Sequence, residues 1–168
     1  MVAVPDVEEL TEGQPEQLVT ENALRKARAV EGDWVLGADT AVVQEGSIFG
    51  KPRDEDEARA FLCRLAGATH QVWSGLALVE AGEASTAAAV TSVRFRALER
   101  PELDWYLASG EWHARAGGYA IQGRGAALVE GIEGDYTNVV GLPVAQLVRL
   151  APRLLEHVRE VAAERAPA

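Results

Sequence analysis

Two lysines are the first residues in this sequence whose type suggests chemistry. The chain has sixteen basic residues, and only Lys26 and Lys51 are lysines; the other fourteen are arginines. A compact ammonium suits a single phosphate oxygen or a carboxylate, whereas a planar guanidinium suits forked pairing. A chain that prefers arginine but keeps these two lysines therefore suggests that each supplies a point charge. The same composition also allows both lysines to occupy ordinary surface positions.

Asp39 is the residue whose position in the sequence is most unusual. It lies inside WVLGADTAVVQ, a nearly continuous apolar and β-branched stretch that predicts a strand buried on both faces. A carboxylate in such a strand needs a partner, a metal or water, because burying it unpaired costs several kcal/mol. This placement favours a functional site at Asp39 over a purely structural hydrogen bond.

Further polar residues near the ends of predicted strands and helices complete a candidate site for phosphate-ester chemistry. A carboxylate can hold Mg²⁺ or orient an attacking water, ammonium groups can neutralise phosphate oxygens, and a side-chain amide can read a base edge. The adjacent glutamates at 8 and 9 alternate along an extended segment, so we expect only one of them to reach a cleft. Spacing alone does not show that the candidates meet. They are Glu8, Glu9, Lys26, Asp39, Thr40, Lys51 and Gln122.

The charge balance of the chain limits its partners. A net charge of −10, with the basic residues scattered, argues against a nucleic-acid partner. An acidic protein that binds a phosphate compound needs local cations or a divalent metal to offset the repulsion. The three histidines lack metal-ligand spacing, and the sequence contains no CxxC, HExxH, GxSxG or Walker motif.

Length and composition indicate a single globular domain over residues 1–168. Cys63, the only cysteine, falls on the apolar side of a predicted helix, so we expect it in the core. A lone cysteine forms no intrachain disulfide, which favours a reducing compartment. The sequence shows no signal peptide and no apolar run long enough to span a bilayer, so we expect a soluble, cytoplasmic protein without a membrane partner.

Alternating helical and strand-like segments must position these residues. Proline, glycine and capping signals predict helices over 15–30 and 54–65, a short helix between Pro101 and Gly110, and a final helix from Pro152 that carries Val158 and Val161. GDYTNVVGLPVAQL is interpreted as a strand, a turn and the start of a helix. Five glycines between 117 and 131 either let the backbone approach a ligand or form tight turns. The predicted strands cover 34–44, 47–49, 70–80, 88–98 and 126–132.

Nine short motifs follow one another along nearly the whole chain: PDVEE, NALRKA, LGADT, FGKPRD, GATHQV, VRFRAL, YLASGE, AGGYAIQGRGA and GDYTNVVGLP. In this order they closely resemble the Maf family of nucleoside triphosphate pyrophosphatases. The resemblance implies an α/β fold of the Maf and inosine-triphosphatase type, with a curved mixed β-sheet flanked by helices and a cleft between two lobes. It also implies a homodimer.

The resemblance further implies an activity and a set of site residues. The family cleaves the α–β phosphoanhydride of a nucleoside triphosphate with a divalent metal, Mg²⁺ or Mn²⁺, and releases the monophosphate and pyrophosphate. The motif AGGYAIQG is similar to that of the branch acting on dTTP and UTP and differs from that of the 7-methyl-GTP branch, which remains an alternative. Asp39 matches the catalytic aspartate, and with Glu9 it would hold the metal. The matching substrate-binding positions are Glu9, Lys26, Thr40, Lys51 and Gln122.

One part of the family pattern has no counterpart in this sequence. Members normally begin with a strand and a serine- and arginine-rich phosphate loop of the SxSPRR type, and this sequence starts after that segment. If the segment is absent from the protein, we expect weak or no pyrophosphatase activity. The alternative function is then a non-catalytic nucleotide-binding or cell-division regulator on the same scaffold. Lys26 and Lys51 would be the main basic groups in its cleft.

Overall fold

The computed structural model describes residues 2–155, which form one five-stranded sheet with helices on both faces. The elements are α1 (Pro15–Arg28), β1 (Trp34–Gln44), β2 (Ser47–Phe49), α2 (Glu55–Leu65), β3 (Thr69–Glu80), β4 (Glu83–Phe95), α3 (Arg100–Leu107), β5 (Val129–Glu133), α4 (Tyr136–Val140) and α5 (Val144–Leu150). Helices α1 and α2 begin where the sequence predicts. Pro15 opens α1, and the Asp54 side chain caps α2 by accepting a hydrogen bond from the Glu57 amide over 2.8 Å.

The strand order is β2-β1-β3-β4-β5, and every pairing among the described residues is antiparallel. The α/β class is confirmed, but these strands do not form the expected mixed sheet. Two-residue turns at 45–46 and 81–82 return the chain directly into the neighbouring strand, whereas parallel neighbours need a long crossover. Within the described part of the chain, residues 34–41 of β1 pair only with β3 and leave an open edge.

Helix α1 packs on one face of the sheet through small residues. Its buried side includes Val19, Ala23 and Ala27 and lies on β1 and β3. Gly37 on β1 permits the close approach, because a Cβ there would lie 2.1 Å from the Ala23 carbonyl oxygen. Asp39 lies two residues further on the same face of β1, so this contact brings α1 beside its carboxylate.

The opposite face of the sheet carries the main core. Helices α2 and α3 cover it with buried side chains that include Leu62, Leu65 and Tyr106. The expectation that Cys63 lies in this core is wrong, because its side chain is exposed. On an α-helix Cys63 lies about 100° round from Leu62, away from the face that Ala58, Leu62 and Leu65 share.

The segment after β5 differs from its predicted structure. Residues 136–140 form helix α4 instead of a strand, because the Asp135 side chain caps the helix by accepting a hydrogen bond from the Thr137 amide over 2.7 Å. Asn138 on α4 is fully buried, and its Nδ2 donates to the Val72 carbonyl oxygen on β3 over 3.0 Å. This hydrogen bond fixes α4 against the sheet.

Two further expectations concern the predicted final helix and the membrane. Val158 and Val161 of that helix lie outside the described residues. Among the residues that the structure describes, no helix combines the length and the apolar character needed to cross a bilayer.

Candidate active site

A cavity of about 210 Å³ lies beside β1, lined by residues of α1, of the β2–α2 connection and of the glycine-rich segment. Five of the six residues assigned to the site from the sequence line this cavity. The sixth, Glu9, lines a second cavity of about 660 Å³. Lys26 and Lys51 line both cavities, so the two cavities adjoin at these two positively charged side chains. The five residues of the smaller cavity are Lys26, Asp39, Thr40, Lys51 and Gln122.

Lys26 is the centre of a charged cluster. Its ammonium contacts Asp39 Oδ1 and lies 2.8 Å from Glu9 Oε1, and Lys51 Nζ lies 3.3 Å from the same Glu9 oxygen. The side chains of Lys26 and Asp39 are only 17% and 7% exposed, so their attraction is less screened than that of a surface pair. We call Glu9, Asn22, Lys26, Asp39 and Lys51 the ion-pair wall.

Asn22 orients the ion-pair wall by bonding to both Asp39 and the N-terminal segment. Its Nδ2 donates to Asp39 Oδ2 and to the Leu10 carbonyl oxygen, each over 3.0 Å, and its Oδ1 accepts from the Leu10 amide over 2.7 Å. These bonds anchor the extended chain next to Glu9, which is half-buried, whereas Glu8 is exposed. Of the two adjacent glutamates, Glu9 is therefore the one that reaches the site.

Two groups of the cluster have shifted pKa values. Burial alone would raise the pKa of Glu9, but the hydrogen bonds and charges of Lys26 and Lys51 outweigh burial and lower it. Burial would likewise lower the pKa of Lys26, but Asp39 and Glu9 outweigh burial and raise it. Glu9 and Lys26 are therefore both charged at neutral pH.

Thr40 follows Asp39 and faces the other side of β1. Its hydroxyl lies 2.9 Å from the Ser74 hydroxyl, and Ser74 donates to the Asn138 carbonyl oxygen over 3.1 Å. Gly141 at the end of α4 also approaches Thr40, since a Cβ on Gly141 would lie 3.4 Å from Thr40 Oγ1. Thr40 thus connects β1, β3 and α4 beside the cavity.

Residues 114–123 contribute the other side of the cavity, and we call them the loop wall. Gly117 has a φ of 68°, and a Cβ there would lie 2.9 Å from the Val42 side chain of β1. This position needs glycine for both its turn and its close approach. Gln122, near the end of the loop wall, is exposed and lines the cavity.

Tyr119 supports the loop wall from the core. Its hydroxyl lies 2.9 Å from His70 Nε2, and both rings pack edge-on against Phe95. Burial lowers the pKa of His70 to about 4 and raises the pKa of Tyr119 above its usual range, so both side chains are neutral at pH 7. His70 is therefore a neutral residue of the buried core.

Two residues of the site are not among those predicted from the sequence. Asn22 lies one helical turn before Lys26 on the same side of α1, and this spacing is the signal that could have assigned it to Asp39. Arg115 lines the cavity from the loop wall, so Lys26 and Lys51 are not its only basic residues. The signal for Arg115 is its place directly before AGGYAIQG. Residue type does not distinguish it, because the chain contains many other arginines.

Glu9 and Asp39 are the carboxylates of this site that could hold a metal. Within residues 2–155, no group of three His, Cys, Asp or Glu side chains is arranged to bind a metal ion. Two carboxylates nevertheless suit Mg²⁺, which often takes one or two from the protein and completes its shell with water and substrate phosphates. Both carboxylates already contact one ammonium, so they are close enough to share a cation.

Comparisons with known proteins identify relatives of this chain. The sequence model of the family described as Maf-like protein matches residues 1–154. A Symbiobacterium thermophilum protein named dTTP/UTP pyrophosphatase is 49% identical over 156 residues, which cover 89% of this chain and 80% of the relative. Relatives of the same name from Thermus thermophilus and Pyrococcus furiosus are 46% and 44% identical; the matches cover 89% and 78% of this chain and 80% and 73% of the relatives.

Proposed function

Because the chain belongs to the Maf family, we propose that it hydrolyses dTTP and UTP to the nucleoside monophosphate and pyrophosphate. The observation that carries this proposal is the buried Asp39 carboxylate, paired with Lys26 beside a cavity that Lys51 and Gln122 also line. The shared name of the relatives, dTTP/UTP pyrophosphatase, supports the substrate class. Such an enzyme would perform a house-cleaning function on the nucleotide pool of the cytoplasm.

Asp39 acts on the attacking water in this proposal. Asn22 and Lys26 each contact one of its two oxygens, so the carboxylate has a defined orientation on a paired strand. The water oxygen bonds to a phosphorus atom of the α–β anhydride, and a water proton passes to Asp39. The bond from that phosphorus to the bridging oxygen breaks, which gives the monophosphate and pyrophosphate.

The two lysines neutralise the phosphate charge. Both are paired with carboxylates, so binding of the substrate exchanges a carboxylate partner for phosphate oxygens. Lys51 is better placed for this exchange, because its side chain is 51% exposed and that of Lys26 only 17%. The hydroxyl of Thr40, on the other side of β1, is a further hydrogen-bonding group for the substrate.

Glu9 and Asp39 would hold the divalent metal, Mg²⁺ or Mn²⁺. When bound there, it would neutralise phosphate charge and polarise a phosphoryl oxygen. Both carboxylates contact Lys26, so a cation held by them would compete with its ammonium, which would then be available to the phosphates. Lys26 therefore balances the two carboxylates until the substrate arrives.

Gln122 reads the base in this proposal. A primary amide both donates and accepts hydrogen bonds, which suits the imide edge of uracil or thymine. Gln122 lies on the loop wall and not among the residues of the ion-pair wall, and its exposed side chain is accessible to a ligand. Different residues of the cavity thus recognise the base and the triphosphate.

We also propose that two copies of the chain form a homodimer. Four apolar side chains within one short stretch are each more than one-third exposed, and such clusters mark protein-binding surfaces. We expect sedimentation velocity to show a dimer at micromolar concentration. A monomer at every concentration would contradict this proposal. The four residues are Tyr136, Val140, Leu142 and Val144.

Pyrophosphate release by the purified chain tests the proposed hydrolysis. With dTTP or UTP and Mg²⁺ or Mn²⁺, we expect equimolar pyrophosphate and monophosphate, and none when the metal is chelated. Activity on 7-methyl-GTP alone would assign the chain to the other branch. Tight binding of UTP without release from any of the three would indicate a non-catalytic nucleotide-binding protein and overturn the proposal.

A further inference from the structure

Arg115 is a third cation of the cavity, and it has no part in the proposed hydrolysis. It lines the same 210 Å³ cavity as Lys26 and Lys51. Both lysines are paired with carboxylates, whereas Arg115 has no ion-pair partner among residues 2–155. An anionic ligand can therefore pair with Arg115 without breaking an existing ion pair.

The backbone around Arg115 is joined to the backbone around Lys51. The Gly117 amide donates to the Gly50 carbonyl oxygen over 3.0 Å, which connects the loop wall to the residue before Lys51. The Gly118 amide donates back to the Arg115 carbonyl oxygen, also over 3.0 Å, and closes the short 3-10 turn over 116–118. The hydrogen bond between Gly117 and Gly50 thus joins the backbone segment that carries Arg115 to the segment that carries Lys51.

From this geometry we propose that Arg115 binds the polyphosphate of the substrate and, with Lys51, clamps it from the loop wall. The inference rests on the proposed function, because it adds a substrate-binding residue to the same site. The charges of the cluster agree with it: two carboxylates offset two ammonium groups, so Arg115 supplies the net positive charge. Its guanidinium can also bond two phosphate oxygens at once, which an ammonium does less well.

Equilibrium binding tests this inference separately from turnover. The probes are inorganic tripolyphosphate and the α,β-methylene analogue of UTP, which cannot be cleaved at that bond. We expect Arg115→Gln to weaken both about tenfold, as loss of a charge-assisted hydrogen bond does, and Arg115→Lys to recover part of the loss. Gln122→Ala should weaken the analogue but not tripolyphosphate.

A matched control separates a specific contact from a change in net charge. Arg28→Gln removes an exposed arginine of α1 that lines neither cavity, and it should leave both affinities within about twofold of wild type. Thermal unfolding of each variant shows whether it is folded, and Arg115→Lys serves as the second variant if Arg115→Gln is not.

Four outcomes decide the inference. Wild-type affinity of Arg115→Gln for tripolyphosphate would overturn it, and so would an equal loss of affinity in Arg28→Gln. If Arg115→Gln alone weakens both probes while the wild type releases no pyrophosphate from UTP, the proposed hydrolysis fails and the binding role of Arg115 stands. If the wild type binds neither probe, both proposals are wrong.

Discussion

The two walls of the cavity hold their polar groups in different ways. The central charges of the ion-pair wall, on Lys26 and Asp39, lie on a helix and a paired strand and balance each other. The loop wall has an irregular backbone with positive φ at Ala114 and Gly117, and its cation, Arg115, has no carboxylate partner among the described residues. One wall is therefore organised to fix a carboxylate for chemistry, and the other leaves polar groups available to a ligand.

The largest expected effect is on the ion-pair wall, at Asp39. Asp39→Asn keeps the shape of the side chain but removes the general base, so we expect kcat to fall by about 10³-fold or more. The fold should survive, because Lys26 keeps its contact with Glu9. Pyrophosphate release and circular dichroism measure the two effects. Asp33→Asn, at an exposed acid just before β1, is the control, and full activity of Asp39→Asn would refute the role of Asp39.

The second effect tests how rigid the ion-pair wall must be. A Cβ at Gly37 would lie 2.1 Å from the Ala23 carbonyl oxygen, so Gly37→Ala forces α1 away from β1. We expect the free energy of unfolding to fall by about 3 kcal/mol, with loss of turnover. Urea unfolding measures the change. Gly131→Ala is the control, because a Cβ there meets no atom within 4 Å; an equal loss in both variants would refute the packing argument.

The ion-pair wall is largely predictable from the sequence, because regular elements carry its central charges. Helical periodicity places Lys26 beside the buried side of α1, and the β-branched run places Asp39 in a central strand. The choice of Glu9 over Glu8 is not predictable in this way. Alternation separates their faces, but only the bonds between Asn22 and Leu10 decide which face turns inward.

The loop wall is not predictable by periodicity. The place of Arg115 depends on the Gly117 contact with Val42 and on the hydrogen bond to Gly50, which are tertiary contacts without a local signal. Two other expectations differ from the structure of the described residues for local reasons. Two-residue turns connect β1 to β2 and β3 to β4, so these strand pairs are antiparallel, and a helix that Asp135 caps replaces the strand expected after β5.

The third effect is a pH dependence of stability that arises at the loop wall and not at the ion-pair wall. His70, which bonds to Tyr119 of the loop wall, has a pKa lowered by burial from 6.5 to about 4. As the pH falls, His70 binds a proton in the unfolded chain before it does so in the folded chain. The free energy of unfolding therefore decreases as the pH falls through 6.5 toward 4. Glu9 has a pKa below 4.5 and Lys26 one above 10.5, so neither changes charge in most of this window.

Urea unfolding at pH 7.5 and pH 5 measures this loss. We expect His70 to account for about 2 kcal/mol of the difference between the two pH values. His70→Gln keeps a hydrogen-bonding group for Tyr119 but cannot titrate, so its stability should depend less on pH. His113→Gln, at an exposed histidine, should behave like the wild type. If the stability of His70→Gln depends on pH as much as that of the wild type, protonation of His70 does not destabilise the protein.

The smallest effect should appear on the loop wall without loss of stability. A Cβ at Gly123 would lie 2.2 Å from Glu111 Oε2, the atom that accepts the Arg124 amide over 2.7 Å. In contrast to Gly37, the clash is with the end of a flexible side chain, so Gly123→Ala moves Glu111 and not a helix.

We expect the free energy of unfolding of Gly123→Ala to lie within about 1 kcal/mol of that of the wild type, because the substitution disturbs one hydrogen bond. The displaced loop shifts the neighbouring Gln122, so KM for UTP should rise about fivefold while kcat changes little. Steady-state kinetics measures both constants. Glu111→Gln keeps an acceptor oxygen, so its KM for UTP should lie between those of the wild type and Gly123→Ala. A fall in kcat without a rise in KM would mean that the loop wall takes part in the chemistry, and the division between the two walls would be wrong.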